Sequence, residues 1–288
     1  TSFLVSMSLF VSGISTFIQC KRFGPVGARL LCIQGTSFSF IGPIITTGLM
    51  GGLPLICGVC MAAAPVEMVI SRTFRYMRNI ITPLVSGIVV LLIGLSLMKV
   101  GVVSCGGGYG ARDNGPFGSW ENLSIAGLVL LSVLFFNRSK NKYLRMSSIV
   151  LGICLGYGLA FALGKVDMSS LNLNLLTSFN IPMPFKYGLD FNISSFIAIG
   201  LVYLITGIEA TGDVTANSMI SGLDIEGEGY VKRVSGGVLA DGFNSFLAGV
   251  FNSFPNSIFA QNNGIIQLTG VASRFVGYYI AAMLVLLG

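Results

Sequence analysis

Two carboxylates four residues apart, Glu209 and Asp213 in GIEATGDVTAN, fall in or at the edge of an apolar run in the second half of the chain. On a helix this spacing puts both on one face, about one turn from each other. Neighbouring acids in a low dielectric tend to share a proton, which suits proton coupling. A second concentration of chemistry is FPNSIFAQNNGIIQLTG, Phe254 to Gly270, where Gln261, Asn262 and Asn263 are consecutive inside a run without charges between Gly242 and Arg274. Proline, glycine and clustered amides at membrane depth are tolerated only where they are buried in protein or line a polar cavity. The stretch is therefore a binding-site candidate on composition alone. Asp241, in SGGVLADGFNSF, is a third acid at such a depth. An ionised carboxylate near the centre of a spanning helix costs roughly 2.5 to 3.5 kcal/mol on insertion scales, so acids placed there mark ion or substrate pathways.

Each acid also has a plainer reading. Asp213 would cap or end its helix on the cytoplasmic side. Asp241 would bond backbone groups across a glycine-rich packing face. Glu67 stands close to an arginine cluster, so an ion pair with Arg72 or Arg75 at a helix end competes with a role in transport.

The elements that must position these residues follow from the apolar runs. With 53% hydrophobic and 10% charged residues and a mean hydropathy of +0.82, the chain lies far from soluble domains, in which about a quarter of residues are charged. It reads as an all-α polytopic membrane protein. A spanning helix needs about 20 apolar residues. Residues 1–20 give one span, and the run from Leu30 to Val66 gives two, broken by Gly51, Gly52 and Pro54, the second ending at Glu67. The first of these two opens with QGTSFSF, where Thr36 to Phe40 alternates polar and aromatic residues like a strand before Gly42 and Pro43. Further spans are expected over Ile80–Met98, Leu123–Phe136, Met146–Gly164, Phe191–Thr211, Val234–Phe251 and Ala272–Gly288. The net charge of +6 is carried by short basic clusters between these runs, a positive-inside pattern rather than a nucleic-acid patch. Lys21, Arg22, Arg29, Arg72, Arg75, Arg78, Arg138, Lys140, Lys142, Arg145, Lys232, Arg233 and Arg274 share one face, 13 of the 17 basic residues. Lys99, Arg112, Lys165 and Lys186 fall opposite, which supports the span count and puts the 13 in the cytoplasm.

Other chemistry is excluded by what is missing or misplaced. Six scattered cysteines make no disulfide framework, and Cys57 and Cys60 form a C-x-x-C inside an apolar helix with no histidine in the chain, so they read as small packing residues. The Gly-rich SCGGGYGARDNGPFGSWEN lacks the lysine and the strand-to-helix context of a phosphate loop and reads as a flexible external loop. No nucleophile–base or metal constellation points to an enzyme. The chain opens without methionine and stops in an apolar run, so it is expected to be a fragment, with no signal peptide in view.

PNSIFAQNNGIIQLTGVASR resembles the signature of the nucleobase-ascorbate transporters, also called the nucleobase:cation symporter-2 family. That signature has Gln-Asn-x-Gly, then after four residues Thr and Gly, here Gln261, Asn262, Gly264, Thr269 and Gly270. TGIEATGDVTA and RVSGGVLADG resemble the family's other helices, and QGTSFSF its interrupted third segment. The resemblance covers essentially the whole chain and includes bacterial xanthine and urate permeases.

The resemblance implies part of a 7+7 inverted-repeat transporter with two segments, the third and tenth, that are each a short strand and half-helix. Paired interruptions of this kind point to a transporter site. On this mapping residues 1–72 are the first-repeat part of a core domain, 73–166 half of a gate domain, 167–190 an external loop and 191–288 the second-repeat part of the core. The first helix, which carries a functional histidine in the purine branch, and those after the eleventh are absent, so the fragment alone is not expected to transport. Carried over residue by residue, Glu209 accepts ring N–H groups of the purine, Gln261 pairs with its polar edge, Phe40 flanks the ring, and backbone near Phe259 and Ala260 completes the contact. Asp213, with Glu209, is proton-linked; Asn262, Thr269, Gly264 and Ser39 tune affinity or specificity; Asp241 is essential without necessarily touching substrate.

These expectations add up to proton-coupled uptake of a purine nucleobase, xanthine or urate, by alternating access. The protein would be a homodimer in the bacterial inner membrane, with no metal, no cofactor beyond the proton and no nucleic-acid partner. An anion transporter or channel of the related sulfate-permease architecture is the alternative. It predicts a site made of helix N-termini with no carboxylate facing the ligand.

Overall fold

The computed structural model describes residues 2–77, 84, 88, 91, 95, 98, 101–166 and 181–288. Its elements are α1 (Ser2–Lys21), β1 (Gln34–Thr36), a 3-10 turn (Phe38–Phe40), α2 (Ile41–Met77), α3 (Gly108–Asn114), α4 (Trp120–Asn137), α5 (Lys142–Met146), α6 (Ser148–Ala162), α7 (Ile193–Ile220), α8 (Gly227–Val250), β2 (Asn256–Ile258), α9 (Ala260–Thr269) and α10 (Arg274–Leu287). Among the described residues four helices are long and apolar enough to cross a membrane: Ser2–Lys21, Phe38–Thr73, Trp120–Asn137 and Ile193–Ile220. The shorter Ser148–Ala162 and Arg274–Leu287 are apolar as well. The protein is a polytopic membrane protein, as its composition demands.

The two strands pair antiparallel, Gln34 with Ile258, Gly35 with Ser257 and Thr36 with Asn256. Flanking bonds extend the ladder: Ser37 N–H donates to the Pro255 carbonyl at 2.9 Å and Phe259 N–H to that of Ile33 at 3.0 Å. Two interrupted segments, 220 residues apart in the chain, thus satisfy each other's backbone, the condition for non-helical chain in a membrane interior. The strand is not where the polar–aromatic alternation put it. It covers Gln34–Thr36, and Phe38–Phe40 tightens into a 3-10 turn capped by the Ser37 side chain, which accepts from the Ser39 N–H. Side-chain alternation cannot tell a strand from a turn when the run is only five residues long.

The chain forms two compact units, Thr1–Leu91 with Phe179–Gln267 and Val271–Gly288, and Leu92–Ser178 with Leu268–Gly270. In the first unit α2 lies along α8 and α7, and α1 lies along α10. The expected break in the long apolar run is found at Gly52, whose φ of 67° and ψ of −159° depart from the helix. Only glycine takes that conformation cheaply. The run does not stop at Glu67, however; α2 continues to Met77 through Pro65. The expected boundary between residues 72 and 73 falls inside that helix. A pair between Glu67 and Arg72 is also absent, because Glu67 is completely buried while Arg72 is exposed.

α7 runs nine residues beyond the expected end at Thr211, so Asp213 lies within the helix and neither caps nor terminates it. The described part of the expected external loop is tied down rather than free. Phe185 N–H donates to the Val250 carbonyl and Asp190 N–H to that of Pro54, at 2.9 and 3.0 Å. The Asn252 amide donates to the Met183 carbonyl at 2.7 Å. Residues 167–180 of that loop, and nearly all of the span expected over Ile80–Met98, lie outside the described residues.

Small residues set the helix spacing, as they do where packing rather than the hydrophobic effect joins helices in lipid. Gly236 of α8 accepts from Gly27 N–H at 2.8 Å. A methyl group there would lie 2.5 Å from the Gly27 carbonyl oxygen and 3.0 Å from that of Pro25. Both neighbours are backbone, which cannot swing away. Gly236→Ala in the full-length protein is expected to lose about 1 to 3 kcal/mol, seen as a lower melting temperature in detergent; an unchanged melting curve would contradict this close approach.

In the second unit α4 packs on α6, with Val133 and Val129 set against Gly152 and Gly156. The Gly-rich connection before α4 is folded rather than loose: it contains α3, and the Asn122 amide donates to the Gly106 carbonyl at 3.0 Å. Lys165 closes on Glu121 at 2.9 Å and on the Asn122 side-chain oxygen at 2.8 Å.

Candidate functional site

The strand pair positions everything that follows. From its two opposite ends the chain enters α2, through the 3-10 turn, and α9, so both helices begin at the pair. A helix N-terminus carries unsatisfied N–H groups and a partial positive charge. Beside these starts stands α7 with Glu209, which is half-buried. The Ser39 hydroxyl donates to Glu209 Oε2 at 3.3 Å, fixing one carboxylate oxygen against the 3-10 turn. The structure thus brings together Glu209 and Ser39, from segments 170 residues apart.

On the β2 side, Phe259 is partly buried with its ring lying over Gly35, where any side chain would collide with it. Ala260 is partly buried at the start of α9, and Gln261 and Gly264 are exposed. Asn262 and Asn263 turn the other way. Asn262 is 4% exposed and gives its amide to the Leu31 carbonyl at 2.6 Å. Asn263 donates to the Asp213 carbonyl at 3.3 Å. Of the three consecutive amides, then, only Gln261 is presented outward, and the other two fasten α9 to its neighbours. Thr269, at the end of α9, is buried.

Phe40 has no exposed surface. It packs edge-on against Tyr203, centroids 4.7 Å apart, in the apolar core between α2 and α7. The expectation that it flanks a ring-shaped ligand is therefore corrected: Phe38, two residues earlier and 51% exposed, is the aromatic of this turn with a free face. Once the turn is 3-10 rather than extended, residues 38 and 40 no longer share a side, and the sequence pattern alone gave no means of choosing between them.

Asp213 is 3% exposed, and its Oδ2 has no hydrogen-bond partner. It stands one turn along α7 from Glu209, as the spacing required. Asp241 is fully buried in α8. Its Oδ1 accepts from the Gln34 amide of β1, and its Oδ2 from the Ser257 hydroxyl of β2 at 3.3 Å. Gln34 in turn accepts from Asn244 of α8, and its backbone N–H donates to Thr16 of α1 at 3.0 Å. Asn256 donates to Ser15 at 3.0 Å and exchanges bonds with Ser245. The Ile258 backbone of β2 bonds to the same carboxylate, so Asp241 grips both strands at once, through side chains and backbone. Gln34 was not singled out from sequence; a lone glutamine two residues before a predicted strand carries no periodic signal, though an amide in an apolar run could have flagged it. Among the described residues no group of His, Cys, Asp or Glu has the arrangement of a metal site.

A family model described as "Permease family" matches residues 1–288. The chain belongs to this permease family, the nucleobase:cation symporter-2 transporters. Among its relatives, the chain is 48% identical over 299 residues to the xanthine permease XanP of Escherichia coli (strain K12), covering 100% of this chain and 64% of that protein. It is 47% identical over 301 residues to the xanthine permease XanQ of the same organism, covering 100% and 63%. It is 34% identical over 290 residues to the uric acid permease PucJ of Bacillus subtilis (strain 168), covering 100% and 63%. The chain therefore spans a little under two thirds of the length of these permeases.

Proposed function

We propose that the full-length protein imports a purine nucleobase, xanthine or urate, across the bacterial inner membrane, coupled to protons, by alternating access. The observation that carries this reading is the half-buried Glu209 held by Ser39 beside the paired broken segments. A planar purine offers N–H donors and C=O acceptors along its edge and an apolar face. Glu209 supplies the acceptor for ring N–H, Gln261 the donor–acceptor amide, Phe38 and Phe259 the flanking rings, and the start of α9 at Ala260 the backbone N–H groups. Ser39, by sharing Glu209 Oε2, adjusts how much acceptor capacity faces the substrate. Asp213 takes the proton-linked role one turn away. Asn262, Thr269 and Gly264 act on affinity by setting where α9 lies. The two units correspond to parts of a core and a gate in a 7+7 inverted-repeat homodimer, and the names of the xanthine and uric acid permeases support the choice of substrate.

The convergence of two helix starts on the strand pair is also what a sulfate-permease-like anion site would use. A carboxylate at the same place opposes an anion. Uptake of labelled xanthine by cells expressing the full-length protein, with xanthine, urate, uracil and sulfate as competitors at several pH values, separates the two. Competition by xanthine or urate and none by sulfate is expected. Uptake that ignores purines would refute the substrate, and uptake indifferent to the proton gradient would refute the coupling.

A further inference from the structure

Glu67 is the acid that the proposed site leaves unused. It lies on α2 with no exposed surface, and neither of its carboxyl oxygens has a hydrogen-bond donor in place. The polar groups around it are Asp241 from α8, and Thr206, Tyr203 and, farther along, Glu209 from α7. The close packing of the two helices brings them there: a methyl group on Gly242, next to Asp241, would lie 3.2 Å from the Ala64 carbonyl oxygen and 3.1 Å from the Met68 nitrogen. The Thr206 hydroxyl lies within reach of Glu67, but both hydroxyls also serve backbone carbonyls. Thr206 donates to the Tyr203 carbonyl at 3.3 Å and Tyr203 to the Cys60 carbonyl at 3.2 Å. No lysine or arginine is among the groups that face Glu67 in the described residues. Beside Thr206, the polar group that Glu67 meets is the Asp241 carboxyl, and two acids can bond only through a proton.

Of the two, Asp241 is the better supplied, since Gln34 and Ser257 already donate to it. A bare Glu67 carboxylate beside it would be an unsolvated charge next to a like charge. A proton on Glu67 turns the same contact into a charge-assisted O–H···O⁻ bond.

We propose that Glu67 and Asp241 form a proton-holding pair between α2 and α8, Glu67 carrying the proton and donating it to Asp241, and that this proton is exchanged with solvent during transport. It is separate from Glu209, which lines the proposed substrate site, and from Asp213 one turn along α7. Only an O–H bond is made and broken, and the proton comes from and returns to water. Loss of the proton would set two charges against each other beneath the strand pair, because Asp241 is the residue that holds Gln34 and Ser257. Glu67 is in this sense a positioning residue, and the role in transport rests on the function proposed above.

The test uses the purified, full-length wild type and Glu67→Gln, whose amide keeps the shape and the donor of the protonated acid. Infrared spectra of the wild type are expected to contain the C=O stretch of a buried protonated carboxylic acid that is missing from Glu67→Gln; a wild-type spectrum without such a band overturns the proposal. In vesicles, Glu67→Gln is expected to keep purine exchange without a gradient within about two-fold while gradient-driven accumulation falls at least about ten-fold. Unchanged accumulation with an unchanged pH profile overturns the exchange step. Failure of Glu67→Gln to fold also overturns the proposal, since a neutral donor of the same size should satisfy the site. A wild type that moves no purine at all refutes the substrate assignment, while the infrared band still decides whether Glu67 holds a proton.

Discussion

Glu209→Gln in the full-length permease should reduce purine uptake at least about a hundred-fold, the scale seen when a site built to bond a polar group presents it with the wrong partner. The replacement has the same size and can still accept from Ser39, which now donates to Glu209 at 3.3 Å. What it loses is charge and one acceptor oxygen, in place of which an N–H₂ group faces the N–H of the ligand. Because the residue is half-buried on the side of α7 and takes no part in the core packing, membrane levels of the variant should match the wild type. Ser39→Ala is the companion measurement. It removes one neutral hydrogen bond and should change affinity only several-fold, a step of about 1 kcal/mol. Wild-type uptake by Glu209→Gln would remove the carboxylate from the site, and with it the main argument against an anion transporter.

The second large effect is expected on folding rather than transport. Asp241→Ala strips the acceptor from the Gln34 amide and the Ser257 hydroxyl, both in the buried interior. Each buried donor left without a partner costs about 1 to 3 kcal/mol, and here the two belong to the two strands of a pair only three residues long. The variant should show a markedly lower melting temperature and reduced yield from the membrane. Asp241→Asn keeps an acceptor for Gln34 and should recover a good part of the loss. Equal stability of Asp241→Ala and wild type would mean that the strand pair stands without this clasp.

Much of this site was legible in the chain because membrane burial makes a polar residue conspicuous. Glu209, Asp213, Asp241 and the amides after Phe259 stand out against an apolar background, and the two broken segments are marked by polar–aromatic alternation before Gly42 and Pro43 in the first and by proline, glycine and amides in the second. Gly52 likewise betrayed the kink in α2. What could not be read was direction. Three adjacent amides look alike in sequence, yet Gln261 faces out while Asn262 and Asn263 bond to neighbouring backbone. Phe38 and Phe40 differ in exposure for the same reason, since a 3-10 turn rotates side chains by a rule that a five-residue pattern cannot reveal. Charge clusters misled once: the arginines after Glu67 suggested a helix end, but α2 carries on past them and Glu67 turns inward. Long helices in lipid tolerate such residues where tertiary neighbours supply what local sequence does not.

The carbonyl of Leu31, in the connection between α1 and β1, accepts amides from two different helices, Asn217 of α7 at 2.7 Å and Asn262 of α9 at 2.6 Å. One oxygen atom therefore pegs together the helix that bears Glu209, the half-helix that bears Gln261 and the chain that leads into Gln34. Neither helix can tilt alone without giving up a buried bond. A movement of any one of these three elements therefore has to carry the other two with it.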